Sequence, residues 1–434
     1  MELQSKLFRT APLTSALVLA LSSSAFALTP GSGTWVAETA TYGSPNLQNA
    51  YVYVPKNASP AVLDNKRALM LTLHGCGQTA QGNVIDKKYN WEATAEQYGM
   101  VVVAPTVPSG TSATRSNAGC WDWFGANHNR TSRDAVPLKK LIDAIKARTN
   151  LDIDPNQIYV TGLSSGAAET HVLGCTFPDY FAGVGVNAGP ALGSASTDIF
   201  GAPKVSASQI VSYCKAMNGN NYNAHFATQL WNSIHGSSDA IVQPSHAPRN
   251  GEGMRSLYGT TATSYSFTLP GDGVGTLWKD ANGKERVSLI SVTSMSHAWP
   301  AGAGGSGGGT YVVYNKVHYP SWITAWFFNN NLRVSGGGST TTTTAAGTTT
   351  TTAAGTTTTT AAATTTSTTT TTTTAGACFT ASNYAHVTAG RAYHSLGYAK
   401  ANGSNQNMGL YNTYATTKLR QTGSNYYVID GTCP

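Results

Sequence analysis

The chain has 434 residues, of which 41% are hydrophobic and only 11% are charged, and it carries a formal net charge of +7. This is enough apolar material for a proper core in one large domain with something smaller beside it, and the surface must be made polar by Ser, Thr, Asn and Gly rather than by ions. The positive charge is scattered, with no basic run interleaved with aromatics, which argues against a nucleic-acid partner.

The first element is a leader. Lys6 and Arg9 precede the apolar stretch "APLTSALVLALSSS", which is too short to span a bilayer. Ala25-Phe26-Ala27 then places small residues at −3 and −1 of a cleavage site, so residues 1–27 read as a secretory signal peptide and the mature protein as secreted and extracellular. No later segment reads as a membrane span. Removing the leader takes away Lys6, Arg9 and Glu2 and leaves a net charge of about +6.

Residues 28–334 alternate two patterns. "AYVYVP", "ALMLTLHG", "MVVVAP", "QIYVTG", "AGVGVNAG", "LWNSIHG" and "VSLISVT" are short β-rich runs that end at turn residues. "WEATAEQYG", "RDAVPLKKLIDAIKART" and "SASQIVSYCKAM" have helical periodicity. Strands alternating with helices predict an α/β domain with a mostly parallel sheet covered on both faces. In such sheets functional groups collect on loops beyond the carboxyl ends of strands.

Residues 335–376 are a Thr-rich tract with almost no apolar side chain larger than Ala or Thr, and are expected to be a disordered linker. Residues 377–434 form a small, aromatic, nearly uncharged segment with Gly-Ser-Asn turns between β-like runs. A core of that size needs a staple. Cys378 and Cys433 bracket the segment and are expected to close it. The remaining cysteines, Cys76, Cys120, Cys175 and Cys214, allow three pairings, of which Cys76–Cys120 with Cys175–Cys214 is favoured. There is no CxxC pair and no zinc spacing, so neither metal nor cofactor is expected.

The chemistry centres on "TGLSSGAAET", which holds G-x-S-x-G around Ser164. A strand precedes it and a helix follows, the context a nucleophile elbow requires. A serine nucleophile needs a base and an orienting acid, which in the α/β-hydrolase order follow as Asp or Glu, then His. Asp239, on the loop leaving "LWNSIHG", is preferred over Asp198, Asp272 and Asp280; the last two sit in ordinary turn contexts. His297, after "VSLISVT", is preferred over His318, which precedes a helix, while His235 lies before the acid in chain order. The oxyanion donors are expected to be the amides of Ser165 and Cys76, the latter in "LTLHGCGQ", where His74 is structural. The Gly-rich run 301–309 lacks the Lys-Ser/Thr of a P-loop, and the sequons at Asn57 and Asn129 bear on glycosylation only in a host that performs it.

"LTLHGCGQ", "GCWDWF", "YVTGLSSGA", "HGSSDAIV" and "SHAWPAG" together resemble the extracellular polyhydroxyalkanoate depolymerases of bacteria, in particular those acting on short-chain poly(3-hydroxybutyrate). The final segment, "SNYAHVTAGRA" through "YYVIDGTC", is similar to their polymer-binding domain. The resemblance implies Ser164, Asp239 and His297 as the triad, secretion, and an insoluble polyester surface as partner; the fold expected is an α/β-hydrolase, and the protein is expected to work as a monomer. Candidate polymer contacts are Tyr411, Tyr414, Leu410 and Leu419. Feruloyl and acetylxylan esterases share related catalytic domains, so a carbohydrate esterase with a polysaccharide-binding module is the alternative enzyme. A binding protein with an inactive hydrolase fold is the alternative outside enzymes.

Overall fold

A computed structural model of the chain describes residues 27–38, 42, 46–108, 119–334, 377–395, 398–410, 415–423 and 426–433. Residues 1–26 of the expected leader, the whole expected linker 335–376, Tyr411 and Tyr414 lie outside the described residues.

The larger part of the chain is built on ten strands: β1 (Trp35–Glu38), β2 (Ala50–Tyr53), β3 (Arg67–Leu73), β4 (Val101–Pro105), β5 (Ile153–Leu163), β6 (Gly183–Asn187), β7 (Leu230–Gly236), β8 (Thr260–Leu269), β9 (Gly273–Asp280) and β10 (Glu285–Val292). They lie in the order β1-β2-β4-β3-β5-β6-β7-β10-β9-β8. The six strands from β4 to β10 in that order are mutually parallel, and antiparallel strands flank them on both sides. This is the α/β-hydrolase arrangement, as expected.

Alternation along the central strands explains why they read as unbroken apolar runs. In β3, Leu69, Leu71 and Leu73 join the core on one face, and Ala68 and Met70 join the core on the other. Helices cover both faces. On the first lie α2 (Ala135–Lys146), α3 (Ser165–Thr176), α4 (Ala207–Met217) and α5 (His246–Tyr258), through residues such as Leu138, Ile142, Val172, Ile210 and Met254. On the second lie α1 (Glu92–Tyr98) and α6 (Tyr319–Asn330), through Ala95, Tyr98, Ile323 and Phe327. In α2 the buried Leu138, Leu141, Ile142 and Ile145 follow helical spacing. Helix α3 is buried along all twelve residues, as befits the helix that carries the turn at its start. A short parallel pair, β11 (Trp299–Pro300) with β12 (Val312–Val313), pins the two ends of the Gly-rich run. Cys175 in α3 is bridged to Cys214 in α4.

The C-terminal part has its own sheets. Strand β13 (Cys378–Ser382) leads into α7 (Asn383–Thr388) and then β14 (Ala392–Ser395), β15 (Tyr398–Ala401), β16 (Asn407–Leu410), β17 (Thr416–Gly423) and β18 (Tyr426–Ile429). They form two antiparallel three-stranded sheets, β13-β17-β18 and β14-β15-β16. Ala392, Ala399, Ala401, Met408, Leu419 and Tyr427 make the small core, and Cys378–Cys433 closes it. Asn383 ties the sheets together: its Nδ2 donates to Met408 O (2.7 Å) and its Oδ1 accepts from Thr417 Oγ1 (2.5 Å). One expectation needs correction here. Leu419 was a candidate polymer contact, but it is completely buried in this core. The sequence pattern of so small a unit does not separate core from surface leucines. Leu410 ends β16, and the exposed large apolar side chains among the described residues of this unit are Tyr393, Tyr426 and Ile429.

Burial holds several histidines neutral. It pushes His74, His128 and His318 down to about 4 and His171 to about 3, from an ordinary value of 6.5. The unfolded chain therefore takes up these protons near pH 6.5, whereas the folded chain resists until about pH 4. Stability should fall as pH drops through that window and be unaffected by these groups above it. Urea midpoints at neutral pH and at about pH 5 test this; equal midpoints would contradict it.

Candidate active site

The nucleophile candidate is built by backbone packing. Ser164 stands between β5 and α3 with φ 58° and ψ −119°, a conformation that non-glycine residues rarely adopt. Its N–H donates to Asn187 O at the end of β6 (2.9 Å). The flanking glycines are there because nothing larger fits. A Cβ on Gly166 would stand 2.4 Å from His74 O and 2.5 Å from Leu73 O, and one on Gly162 would stand 2.6 Å from the Gly166 carbonyl. The end of β3 therefore presses directly on the turn and brings the His74–Gln78 loop beside Ser164.

That loop is held by buried side chains. Trp121 Nε1–H donates to His74 O (2.9 Å). His74 Nε2 accepts the Val107 N–H (3.1 Å), so its Nδ1 carries the proton and donates to Gly75 O (2.7 Å). His74 is thus structural. Gln78 is a hub: its Oε1 accepts from Gly75 N–H (2.8 Å) and Tyr89 OH (2.8 Å), and its Nε2 donates to Thr310 O (2.6 Å). Cys76 is bridged to Cys120. The backbone N–H groups of Cys76 and Ser165 have no acceptor among the described residues.

The acid and base loops interlock. Asp239 follows β7 and His297 follows β10, and the two side chains meet with His297 Nδ1 2.7 Å from Asp239 Oδ2. Asp239 Oδ1 accepts from the N–H groups of Ile241 and Val242 (both 2.9 Å). Ser238 N–H donates to Met295 O (3.0 Å), and a Cβ on Gly236 would lie 2.2 Å from Met295 O, so the loops touch backbone to backbone. His235 adds its Nε2 to Asp239 Oδ2 at 3.1 Å. Burial alone would raise the Asp239 carboxyl, but hydrogen bonds from His235 and His297 outweigh it and hold the group well below the usual carboxylate range.

Ser164 and His297 border one cavity of about 220 Å³, together with Gly75, Cys76, Ile241 and Tyr311. Ser164 also borders a second cavity of about 130 Å³, with Cys76, Ser165, Trp123, Ile199 and Val242. Both are mostly apolar in their lining. The predicted Ser164, Asp239, His297, Cys76 and Ser165 are all brought to this place. Two other histidines have structural tasks: His246 Nδ1 accepts the Ala191 N–H (2.9 Å), and His318, the base candidate set aside in the sequence, caps α6 through Ser321 N–H to its Nδ1 (3.2 Å). Sequence reasoning missed Gln78, Tyr89 and Tyr311, and it set His235 aside only as a base. Tyr311 packs edge-on against the His297 ring, with centroids 5.7 Å apart.

Residues 50–251 match the family model described as esterase PHB depolymerase. The chain is 38% identical to a poly(3-hydroxybutyrate) depolymerase of Ralstonia pickettii across 92% of both chains. It is 33% identical to poly(3-hydroxyalkanoate) depolymerase C of Paucimonas lemoignei across 69% of both. Similarity to an acetylxylan esterase of Coprinopsis cinerea, at 31% identity, covers 36% of this chain and 38% of that one.

The glycine packing gives a test. Gly166→Ala should cost about 1–3 kcal/mol of stability by overpacking, because only backbone lies in its way, and should lower ester turnover by displacing Ser164. Urea denaturation and a soluble-ester assay measure both; a stable, fully active variant would refute the packing argument.

Proposed function

Because the chain belongs to the family of poly(3-hydroxybutyrate) depolymerases, we propose that it is a secreted serine esterase that cuts the ester bonds of an insoluble poly(3-hydroxybutyrate)-type polyester, with Ser164 as nucleophile, His297 as base and Asp239 as orienting acid. One observation carries the chemistry: Ser164, on its strained turn, borders the same cavity as His297, whose Nδ1 is engaged by Asp239. His297 Nε2 is then the nitrogen left for the serine proton.

Ser164 Oγ bonds to the ester carbonyl carbon as its proton passes to His297 Nε2. The charge that develops on the carbonyl oxygen is met by the N–H groups of Cys76 and Ser165, fixed in place before reaction. The intermediate collapses, the carbon–oxygen bond to the alcohol breaks, and His297 returns the proton to the departing oxygen. Water then repeats the sequence on the acyl-enzyme, giving up a proton to His297 and releasing a carboxylic acid as Ser164 regains its hydrogen. The products are one hydroxyl-ended and one carboxyl-ended fragment. Every group in this scheme comes from one chain, so a monomer suffices. The two mostly apolar cavities that Ser164 borders suit an uncharged aliphatic ester.

Export is supported by the leader-like N-terminus and by three disulfides. Residues 377–434 are assigned to holding polymer: Asp430 is their one acid, which leaves no carboxylate pair for catalysis. The carbohydrate-esterase alternative has less support, since the acetylxylan esterase similarities cover a third to a half of the chain, against 92% for the depolymerase of Ralstonia pickettii.

Ser164→Ala should lose at least ~10³-fold in kcat, since triad residues act as a unit. The same protein should clear a polyester suspension faster than it releases acetate or ferulate from xylan. Near-normal turnover by a folded Ser164→Ala protein would overturn the mechanism, and the opposite substrate preference would overturn the substrate.

A chain ending at Val334 should hydrolyse soluble esters almost normally while erosion of solid polymer falls steeply at low enzyme concentration. Binding should tolerate salt, because few charges take part. Undiminished erosion would remove the binding role of residues 377–434, and lost soluble-ester activity would make them part of the catalytic fold.

A further inference from the structure

We propose that His235 is a positioning residue for the acid of the triad, setting the direction in which Asp239 presents its carboxylate to His297. The proposal rests on the serine-esterase reading above, but concerns a histidine to which that reading gives no task. His235 is the penultimate residue of β7 and is 3% exposed. Its Nε2 lies 3.1 Å from Asp239 Oδ2 and 2.9 Å from Val242 O. Both neighbours are acceptors, so Nε2 carries the hydrogen and shares it between them. The buried Nδ1 has no hydrogen-bond partner among the described residues. The ring is therefore not a relay between two groups; only one of its nitrogens is engaged, and that one is aimed at the carboxylate.

Four donors converge on this carboxylate. Two backbone N–H groups, from Ile241 and Val242, occupy Oδ1. Oδ2 is left to His297 and His235. With Oδ1 pinned by the loop and Oδ2 pinned from the strand, the carboxylate cannot rotate, and the His297 ring can approach it in one orientation only. That orientation decides where His297 Nε2 stands relative to Ser164. The contact with Val242 O has a second effect. Val242 borders the smaller cavity and Ile241 the larger one, so the same N–H that orients the acid also anchors the loop walling the site to rigid strand β7. A side chain fixed on a central strand is a better reference point than one on a loop.

The test compares His235→Leu, which removes the donor, with His235→Gln, which can keep an N–H near the Nε2 position. Competent sites are counted by organophosphate labelling of Ser164, and kcat and KM for a soluble ester are measured per labelled site, with melting temperature recorded separately. His235→Leu should lose about 10–100-fold in kcat, the scale of a misplacement of an ångström, with KM little changed, and His235→Gln should recover most of that loss. Wild-type kcat per labelled site in His235→Leu, even with a lowered melting temperature, would reduce His235 to a packing residue and overturn the proposal. If His235→Leu does not fold, His235→Asn takes its place: the shorter amide stays polar but falls short of Oδ2, so the same loss is expected and wild-type kcat again overturns it. Failure of the underlying reading looks different. There, Ser164 of the wild-type protein is not labelled at all, or Ser164→Ala remains active, and both proposals fall together.

Discussion

The contact on which the site depends is backbone against backbone, where the end of β3 meets the turn from β5 into α3. Without side chains at positions 162 and 166, the Leu73 and His74 carbonyls approach that turn more closely than any Cβ would allow. Two results follow from one approach. Ser164 is held at positive φ by surroundings that leave it no alternative, and the loop bearing the Cys76 amide is delivered to its side. The proposed nucleophile and its proposed oxyanion donor are thus positioned by the same strand pairing, β3 beside β5, before any side chain of the site is considered.

A second layer of order comes from buried polar groups that are almost all backbone-directed. Gln78, His74 and Trp121 bind main-chain atoms of the oxyanion loop and of the Gly-rich segment opposite it. Asp239 takes two main-chain N–H groups besides its imidazoles. Loops that would otherwise be mobile are stapled to each other rather than to solvent, which is how a site of fixed dipoles avoids reorganising when charge develops. This economy fits a chain with so few ions: the electrostatics around Ser164 are local, made of backbone amides and the depressed Asp239 carboxyl, and a neutral substrate gives them no long-range field to answer.

How much of this was legible in the sequence follows from the range of the interactions. The central strands announce themselves because both faces are buried, and Ser164, Asp239 and His297 because each stands on the turn or loop beyond the carboxyl end of such a strand. Strand β8, "TTATSYSFTL", carries no apolar run because it is the exposed edge of the sheet. Helix α5 was hidden by Pro248, Gly251 and Gly253, poor helix formers. The structure explains two of them, since a Cβ on Gly251 would meet Leu289 at 2.9 Å and one on Gly253 would meet Ile210 at 2.6 Å. Close packing of α5 on β10 and α4 overrode propensity there. Gln78 was illegible for another reason: its partner Thr310 is 232 residues away, and no local pattern encodes such a contact. The place of Leu419 was misjudged because a core of a few side chains leaves no periodic trace.

The bridge between Cys76 and Cys120 spans 44 residues and borders both cavities at Ser164. It couples competence to compartment. In a reducing environment the two sulfurs remain thiols, and the loop carrying the Cys76 amide is then tied down only by hydrogen bonds. The turn at Ser164 is shaped by the sheet alone, whereas the loop carrying the Cys76 amide gains a covalent tie when the bridge forms. On the proposed export, that tie is made where thiols are no longer kept reduced.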